Sequence, residues 1–313
     1  MKPLFIFLAF LCLTVSPFIA ISQSTMDVFF PKKGASSLAI GYTSKAYNQF
    51  YRGTNLTESN PADFGGIYSR ITSIYGTYSI SDQVTAIVNL PYIIVKNENG
   101  VPDPVQMTDQ VNALQDLSLG VKRKLWDKKF DSSQLTVGAG AVWRFPTNNY
   151  EAAGILSVGN GSFSIEGIAL FQYQMYSGFF AELQGGYSVR RNKNFNIPNA
   201  VIGEFKVGFA HSLFYLATSI GLQNSASSFD IGSEAFAAKG GPAILPETEV
   251  DYTVLSINGY VPIGKSGVGI TAGYGKVLNG RNTGAESYIT TGIVFSGSPF
   301  NRSTSPPRYI LGY

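Results

Sequence analysis

Charged residues recur at alternate positions in several consecutive segments of the chain, on the face opposite the apolar residues. In "GFFAELQGGYSVRR", for example, Glu182 and Arg190 alternate with Phe179 and Leu183. Alternate residues share one face of a β-strand. Acidic and basic groups on neighbouring strand faces can form ion pairs or line a polar passage. The set comprises Lys122, Lys124, Arg144, Glu166, Glu182, Arg190, Glu204 and Lys206.

The sequence contains one histidine that could take part in nucleophilic catalysis. His211 lies in "FAHSLF" and is followed directly by Ser212. Hydrolytic sites need a histidine within hydrogen-bond reach of a nucleophile. Adjacent residues of a strand point to opposite sides, so these two cannot form a dyad. We therefore expect no enzyme activity and assign no catalytic residue.

Metal, cofactor and nucleic-acid sites are not expected either. Cys12 is the only cysteine and lies in the apolar N-terminal run, so the remaining chain has no disulfide framework and no thiolate metal site. The spaced glycines of "GAGAVW" and "VGNGSF" are placed in or next to strands rather than before a helix, which argues against a dinucleotide site. The net charge of +3 gives no electrostatic reason to expect nucleic acid.

The first residues, "MKPLFIFLAFLCLTVSPFIAISQS", have the layout of a secretory signal peptide. A lysine is followed by an apolar run and then by small and polar residues. A membrane helix is the alternative, because the run is nearly long enough to span a bilayer. Ser16 and Pro17 interrupt it, however. We expect a signal peptide at 1–22 and a periplasmic N-terminal segment at 23–33.

The composition of the rest indicates a particular class of membrane protein. Charged residues make up 14% of the chain, below the usual quarter, while glycine (34 residues) and aromatics (13%) are frequent. No long apolar helix follows the N-terminal run. A secreted chain of this composition is typical of the outer membrane of Gram-negative bacteria, where strands of alternating hydrophobicity close into a ring.

Period-two alternation between turn residues predicts about twelve strands. The predicted fold class is therefore all-β, a transmembrane antiparallel up-and-down β-barrel over 34–297, followed by a Pro- and Ser-rich C-terminal tail at 298–313. The strands are expected near 34–52, 66–80, 83–96, 114–126, 133–146, 161–174, 178–191, 200–212, 213–227, 247–263, 267–281 and 284–297.

The predicted connections alternate in length. Those near 81–83, 127–132, 175–178, 210–213 and 264–267 are short. All but one of the others, at 53–65, 97–113, 147–160, 192–199 and 228–246, are longer and rich in Asn, Gly, Pro and Asp. Outer-membrane barrels have short periplasmic turns and longer extracellular loops. This places both termini on the periplasmic side, with aromatic residues at both membrane interfaces.

Three features predict local departures from a regular strand. Pro91 in "VNLPYIIV" cannot donate to a ladder, so we expect it either at a bulge or at a position that loses a ladder bond. "IYSRITSIYGTYSI" and "DYTVLSINGYVPI" change the parity of their apolar residues, which indicates bulges or dry patches of the interior. Arg123 falls on the outward face, near the periplasmic rim, where it can reach the headgroups.

Four stretches resemble the outer-membrane transporters of the phenol-degradation MetA-pathway type. They are "YGTYSISDQVTAIVNLPYIIV" (75–95), "LQDLSLGVKRKLWD" (114–127), "LTVGAGAVWRFPTNN" (135–149) and "VGNGSFSIEGIALFQYQMYSGFFAELQGGYSVR" (158–190). The chain departs from the family pattern at Gln115, Arg123 and Asn148. These motifs specify strands and turns more than a substrate. The resemblance implies a channel or transporter for small compounds, hydrophobic or aromatic ones among them.

We therefore expect a monomeric or weakly oligomeric channel for passive uptake of small solutes. Its partners would be outer-membrane lipid, a small-molecule solute and the barrel-assembly machinery during biogenesis. The charged set either lines a pore whose field selects solutes or forms a salt-bridged network that fills a narrow barrel. The alternative function is a structural or surface-interaction barrel with a plugged lumen, whose outer loops at 53–65, 97–113 and 228–246 bind a partner.

Overall fold

The computed structural model describes residues 26–58 and 64–297, and most of these residues are in β-strands. The expected signal peptide (1–22) and C-terminal tail (298–313) lie outside the described residues. The strands are β1 (Ser36–Tyr47), β2 (Phe50–Arg52), β3 (Asn55–Thr57), β4 (Ile67–Ser79), β5 (Val84–Asn97), β6 (Gln110–Leu114), β7 (Leu117–Lys129), β8 (Ser133–Phe145), β9 (Phe163–Met175), β10 (Phe179–Arg191), β11 (Ala200–His211), β12 (Phe214–Ser225), β13 (Asp251–Pro262), β14 (Val268–Arg281) and β15 (Ser287–Gly297).

Twelve of these strands form one closed antiparallel ring. From β4 onward each long strand pairs with the next long strand in the sequence, and β1 pairs with both β4 and β15. Ile40 of β1 lies opposite Ile74 on one side and Ile293 on the other. The ring therefore has no free edge, and the predicted up-and-down barrel is confirmed.

Strands β6 and β7 follow one line that is interrupted at Gln115 and Asp116. Facing the interruption, β5 pairs through Tyr92 with Leu114 and through Asn89 with Ser118, so three residues oppose two. The irregularity expected at Pro91 is thus present. Two departures from the family pattern contribute here. The backbone amide of Gln115 donates to the Pro91 carbonyl (2.8 Å), and the side-chain Nδ2 of Asn148 donates to the Leu114 carbonyl (3.0 Å).

Side chains alternate between the two faces of the barrel wall. On β10, Leu183 is 53% exposed and Phe179 59%, whereas Glu182 and Ser188 on the other face are buried. The same pattern recurs on β1, where Leu38 and Ile40 point outward and Ala39 points inward. The outer face is apolar around the ring, as a wall in contact with lipid must be.

The connections alternate in length as predicted. Turns at 80–83, 130–132, 176–178, 212–213 and 263–267 join strands at one end, which we call the turn side. At the other end, the loop side, the connections are longer, except for the short one at 282–286. The loop at 226–250 contains α1 (Glu234–Ala238) and a 3-10 helix (Gly241–Glu247), and the loop after β1 contains the β2–β3 hairpin. No helix in the described residues is long and apolar enough to cross a membrane.

Aromatic side chains gather at both ends of the wall. At the turn side, Phe209 packs edge-on against Phe179 with ring centroids 4.9 Å apart and also contacts Phe214 at 5.6 Å. At the loop side, Phe145 and Phe163 are 5.3 Å apart. Arg123 is exposed on the outer face near the turn side. Such rings and cations match the headgroup level of a membrane.

Replacing Leu183 with arginine should destabilise the folded barrel by about 2–4 kcal/mol, because a charge would face lipid near the middle of the bilayer. Denaturant titration of the protein in lipid vesicles measures this free energy. Val189→Arg is the matched control. It changes the same face of the same strand near the loop side, where the cost should fall to about 0–1 kcal/mol. Equal costs at both depths would contradict the assigned membrane position.

Candidate functional site

The predicted charged residues share the inner face of the wall, but they do not form one group. Lys122, Glu182, Glu204 and Lys206 lie near the middle and toward the turn side, and all four are buried. Arg144, Glu166 and Arg190 lie toward the loop side. Lys124 lies apart, near the turn-side rim, where it pairs with Asp127 at 3.2 Å.

The N-terminal segment lies inside the barrel. We expected residues 23–33 to be periplasmic, but Met26 and Val28 are each 1% exposed and belong to a cluster with Val142 and Leu170 of the inner wall. Residues 23–25 are outside the described residues. Near the turn-side rim, the Lys33 amide donates to Asp82 Oδ1 at 2.8 Å. The segment therefore runs from the rim into the lumen, because its apolar side chains find buried contacts there.

Lys122 is the principal polar anchor of this segment. Its Nζ donates to Asp27 Oδ1 (2.6 Å), to the Asp27 carbonyl (2.9 Å) and to the Phe29 carbonyl (2.7 Å). The ammonium also lies 5.2 Å from the centre of the Phe30 ring. A lysine buried to 2% exposure needs such partners, since an unpaired buried charge is costly.

Glycines of β8 make room for the segment. A Cβ atom at Gly140 would overlap the Met26 side chain, and one at Gly138 would stand 2.9 Å from the Phe30 ring. The glycines of "GAGAVW" thus permit close approach of two parts of the chain. On the opposite side, Phe29 packs edge-on against Phe180 at 5.4 Å.

Glu182, Lys206 and Glu204 form a second group beside the segment. Lys206 Nζ lies 3.3 Å from Glu182 Oε2 and 3.6 Å from Glu204 Oε2. Gln172 donates to the other oxygen of Glu182 at 2.9 Å. Gln184 donates both to the Met26 carbonyl (2.9 Å) and to Glu204 (3.4 Å), so it links this group to the segment.

The loop-side group is held differently. Arg144 pairs with one oxygen of Glu166. Arg190 donates to Gln223 Oε1 at 2.6 Å and to Ser188 Oγ at 3.4 Å. No described carboxylate lies within ion-pair distance of Arg190. Arg190 therefore has no ion-pair partner in the part of the chain that the structure describes.

Two cavities lie inside the barrel. The turn-side cavity has a volume of about 330 Å³ and is lined by Asp27, Phe29, Tyr75, Tyr215 and Tyr260, among others. The loop-side cavity, of about 200 Å³, is lined by both loop-side arginines and by Glu166, Gln184 and Glu204. The N-terminal segment thus lines the first cavity, and Gln184, which donates to the Met26 carbonyl, lines the second.

Loops pack over the loop-side end of the barrel. The buried Asp103 carboxylate accepts from four backbone amides, those of Val105, Gln106, Ile155 and Leu156, at 2.6–3.0 Å, and so joins two loops. Arg281 donates to Asp230 at 2.7 Å, which lowers the pKa of that carboxyl, and to Glu249 at 2.6 Å. These contacts hold the loops together at the loop-side end of the barrel.

His211 has the surroundings of an interfacial aromatic residue. It accepts a hydrogen bond from the Leu213 amide at 3.3 Å and stacks on Phe209 with ring centroids 6.1 Å apart. Within the described residues, no group of three or more histidine, cysteine or acidic side chains could hold a metal ion.

Sequence reasoning missed the groups that the N-terminal segment contributes. Asp27 and the Met26 carbonyl are partners of Lys122 and Gln184, yet they lie in a stretch too short for any periodic signal. It also missed Lys45, which pairs with Glu286 at 2.7 Å. Lys45 shares the inward parity of Ala39 on β1, so the alternation contained that signal.

A closed ring of antiparallel strands with an apolar outer face and a polar, charged interior defines a Gram-negative outer-membrane β-barrel. The family model described as "Putative MetA-pathway of phenol degradation" matches residues 31–228, more than half of the chain. The chain belongs to this family, as the motifs at 75–190 led us to expect.

Solved structures show the same fold. The COG4313 outer membrane channel from Pseudomonas putida F1 superposes with a TM-score of 0.69 at 14% identity, covering 88% of this chain and 100% of that one. The NanC porin is less similar, with a TM-score of 0.49 at 12% identity, covering 83% of this chain and 98% of that one. No curated protein sequence matches the chain.

Replacing Lys122 with methionine should release the N-terminal segment, because three hydrogen bonds to an ammonium are lost. One such bond contributes about 1.5–3 kcal/mol, so exposure of the segment should rise at least about tenfold. A cysteine at Val28 in the chain from residue 23, which has no other cysteine, reports this through its rate of reaction with a thiol reagent.

Lys124→Met, in the same Val28→Cys background, is the matched control. It removes a lysine from the same strand but from the rim, away from the segment. Its labelling rate should equal that of the parent. Equal rates in all three proteins would mean that Lys122 does not hold the segment in place.

Proposed function

We propose that the protein is an outer-membrane channel for passive uptake of small solutes, with a lumen closed by its N-terminal segment. The observation that carries the proposal is that the segment is held non-covalently inside the lumen, where it lines the turn-side cavity and contacts Gln184 of the loop-side one. In this proposal, residues 26–30 move toward the turn side to open the lumen, and the strands of the wall keep their pairing.

The polar anchors of the segment support this role. A plug that only stabilised the barrel would be served by apolar packing, since replacing a buried ion pair with apolar groups is often neutral or stabilising. Here Lys122 and Gln184 bind mainly backbone carbonyls of the segment. Water can replace those partners when the segment leaves, so both side chains would remain solvated in an open lumen.

The finer part of the proposal concerns the solute. Phe29, Tyr215 and Tyr260 give the turn-side cavity aromatic walls, while Lys122 and several hydroxyl groups add polar contacts. Pockets that bind small molecules combine apolar walls with a few polar groups in this way. A small hydrophobic or aromatic solute fits such a lining, in agreement with the family resemblance.

A structural barrel with a plugged lumen is the second candidate, and a specific observation favours it. Loops at the loop side are packed together through Asp103 and through clusters such as Phe50, Ile231 and Phe236. If neither plug nor loops move, the lumen stays closed and the outer loops become the functional surface for a partner.

Single-channel recording in planar bilayers separates the two candidates. We expect discrete current steps from the parent protein, and a higher open probability from Lys122→Met, because the segment is released. Arg190→Gln should shift ion preference toward cations, since it removes an unpaired lumen cation. Lys124→Met should behave as the parent.

The fold of each protein is verified by its heat-modifiable mobility in gel electrophoresis. The channel proposal would be contradicted if neither the parent nor any variant gave current steps. That result would favour the plugged barrel, and attention would then turn to the outer loops.

A further inference from the structure

The loop-side cavity is lined by two glutamates that each have one buried oxygen without a partner among the described residues. Within 26–58 and 64–297, Glu166 Oε2 and Glu204 Oε1 accept no hydrogen bond, although the two residues are only 2% and 8% exposed. The other oxygen of each is engaged, by Arg144 and by Lys206 and Gln184 respectively. An unpaired buried carboxylate oxygen is costly and calls for a donor from within the cavity.

Arg190 lines the other end of the same cavity, and its side-chain partners among the described residues are neutral, Gln223 and Ser188. Toward the N-terminal segment the cavity is lined by Glu204. The cavity therefore has an arginine without an ion-pair partner toward the loop side and an acidic oxygen without a donor toward the segment.

Strand register orders the lining between these ends. Glu204 lies opposite Gln184 on β10, Ile168 and Ile202 both lie opposite Gly186, and Glu166 lies opposite Ser188. Arg190 is six residues beyond Gln184 on β10, but its side chain reaches back to Gln223, which lies opposite Ile202. The two isoleucines line the cavity together with Glu204 and Arg190.

We propose that the loop-side cavity binds a small elongated zwitterion, such as an ω-amino acid. Its ammonium group donates to Glu204 Oε1, its carboxylate accepts from Arg190, and its methylene chain lies against Ile168 and Ile202. Glu166 Oε2 offers a second acceptor for a donor at the upper end. A neutral hydrocarbon would satisfy neither group, so this site selects differently from the aromatic turn-side cavity.

This inference names a solute class for the lumen of the proposed channel, but the binding itself does not require conduction. Calorimetric titration of the folded protein in detergent therefore tests it separately. The probes are 6-aminohexanoate, hexanoate and hexylamine, which share a chain length and differ in charged ends. We expect the zwitterion to bind at least about tenfold more tightly than either singly charged probe, as one charge-assisted hydrogen bond provides.

Two isosteric or near-isosteric variants locate the site. Glu204→Gln should abolish the preference over hexanoate, and Arg190→Gln the preference over hexylamine. Lys124→Gln, at the rim, should leave all three affinities unchanged. If Arg190→Gln does not fold, Glu204→Gln alone still decides, because its side chain has almost the same shape.

Equal affinity for the three probes, or no binding at all, would overturn the inference and leave water as the partner of both oxygens. A preference that survives both variants would place the site elsewhere and also overturn it. A protein that conducts without binding the zwitterion contradicts only this inference. One that binds it without conducting contradicts only the proposed channel.

Discussion

The structure depends on the requirement that every backbone amide and carbonyl inside a bilayer be paired within the protein. The chain meets it by closing β1 onto both β4 and β15, so that no strand edge faces lipid. Closure also fixes which side chains share the interior, because alternation sends every second residue inward. The chemistry of the lumen is thus a consequence of register, and a shift by one residue would exchange the lipid face with the lumen.

The side chains that register directs into the interior are too polar to pack as an ordinary hydrophobic core. The lumen is also too narrow for their charges to be solvated as in bulk water. Part of the solution is pairing across strands, as in Lys206 with Glu182 and Glu204. The rest comes from the N-terminal segment, whose carbonyls and Asp27 satisfy Lys122 and Gln184. Apolar contacts of Met26 and Phe29 add to this. The two cavities are the parts of the lumen that the paired side chains and the N-terminal segment leave unfilled. The cavity toward the periplasm has an aromatic lining, and the cavity toward the exterior has a charged one.

Most of the fold followed from the sequence because period-two alternation and turn residues are local signals. The ring of twelve strands, the alternation of short and long connections and the irregularity at Pro91 were all predictable. The first strand was predicted too long, since Phe50–Arg52 belongs to a separate hairpin. The inward direction of the charged residues followed from parity as well. Their division into two groups did not, because it depends on register between distant strands. The position of residues 26–30 could not be predicted, as no local pattern encodes contacts with Gly140 or Gln184. Whether the charged residues act as a pore lining stays a prediction.

The depth at which Met26 lies has a consequence for the order of assembly. Its segment contacts residues 95 to 158 positions further along the chain, on β7 and β10. Contacts so distant in sequence form only after the intervening chain has been organised, because closing long loops costs entropy that later contacts must offset. The segment therefore docks after those strands have formed. A nascent barrel would pass through a stage in which the strands up to β10 have formed and the space that the segment later fills is still hydrated.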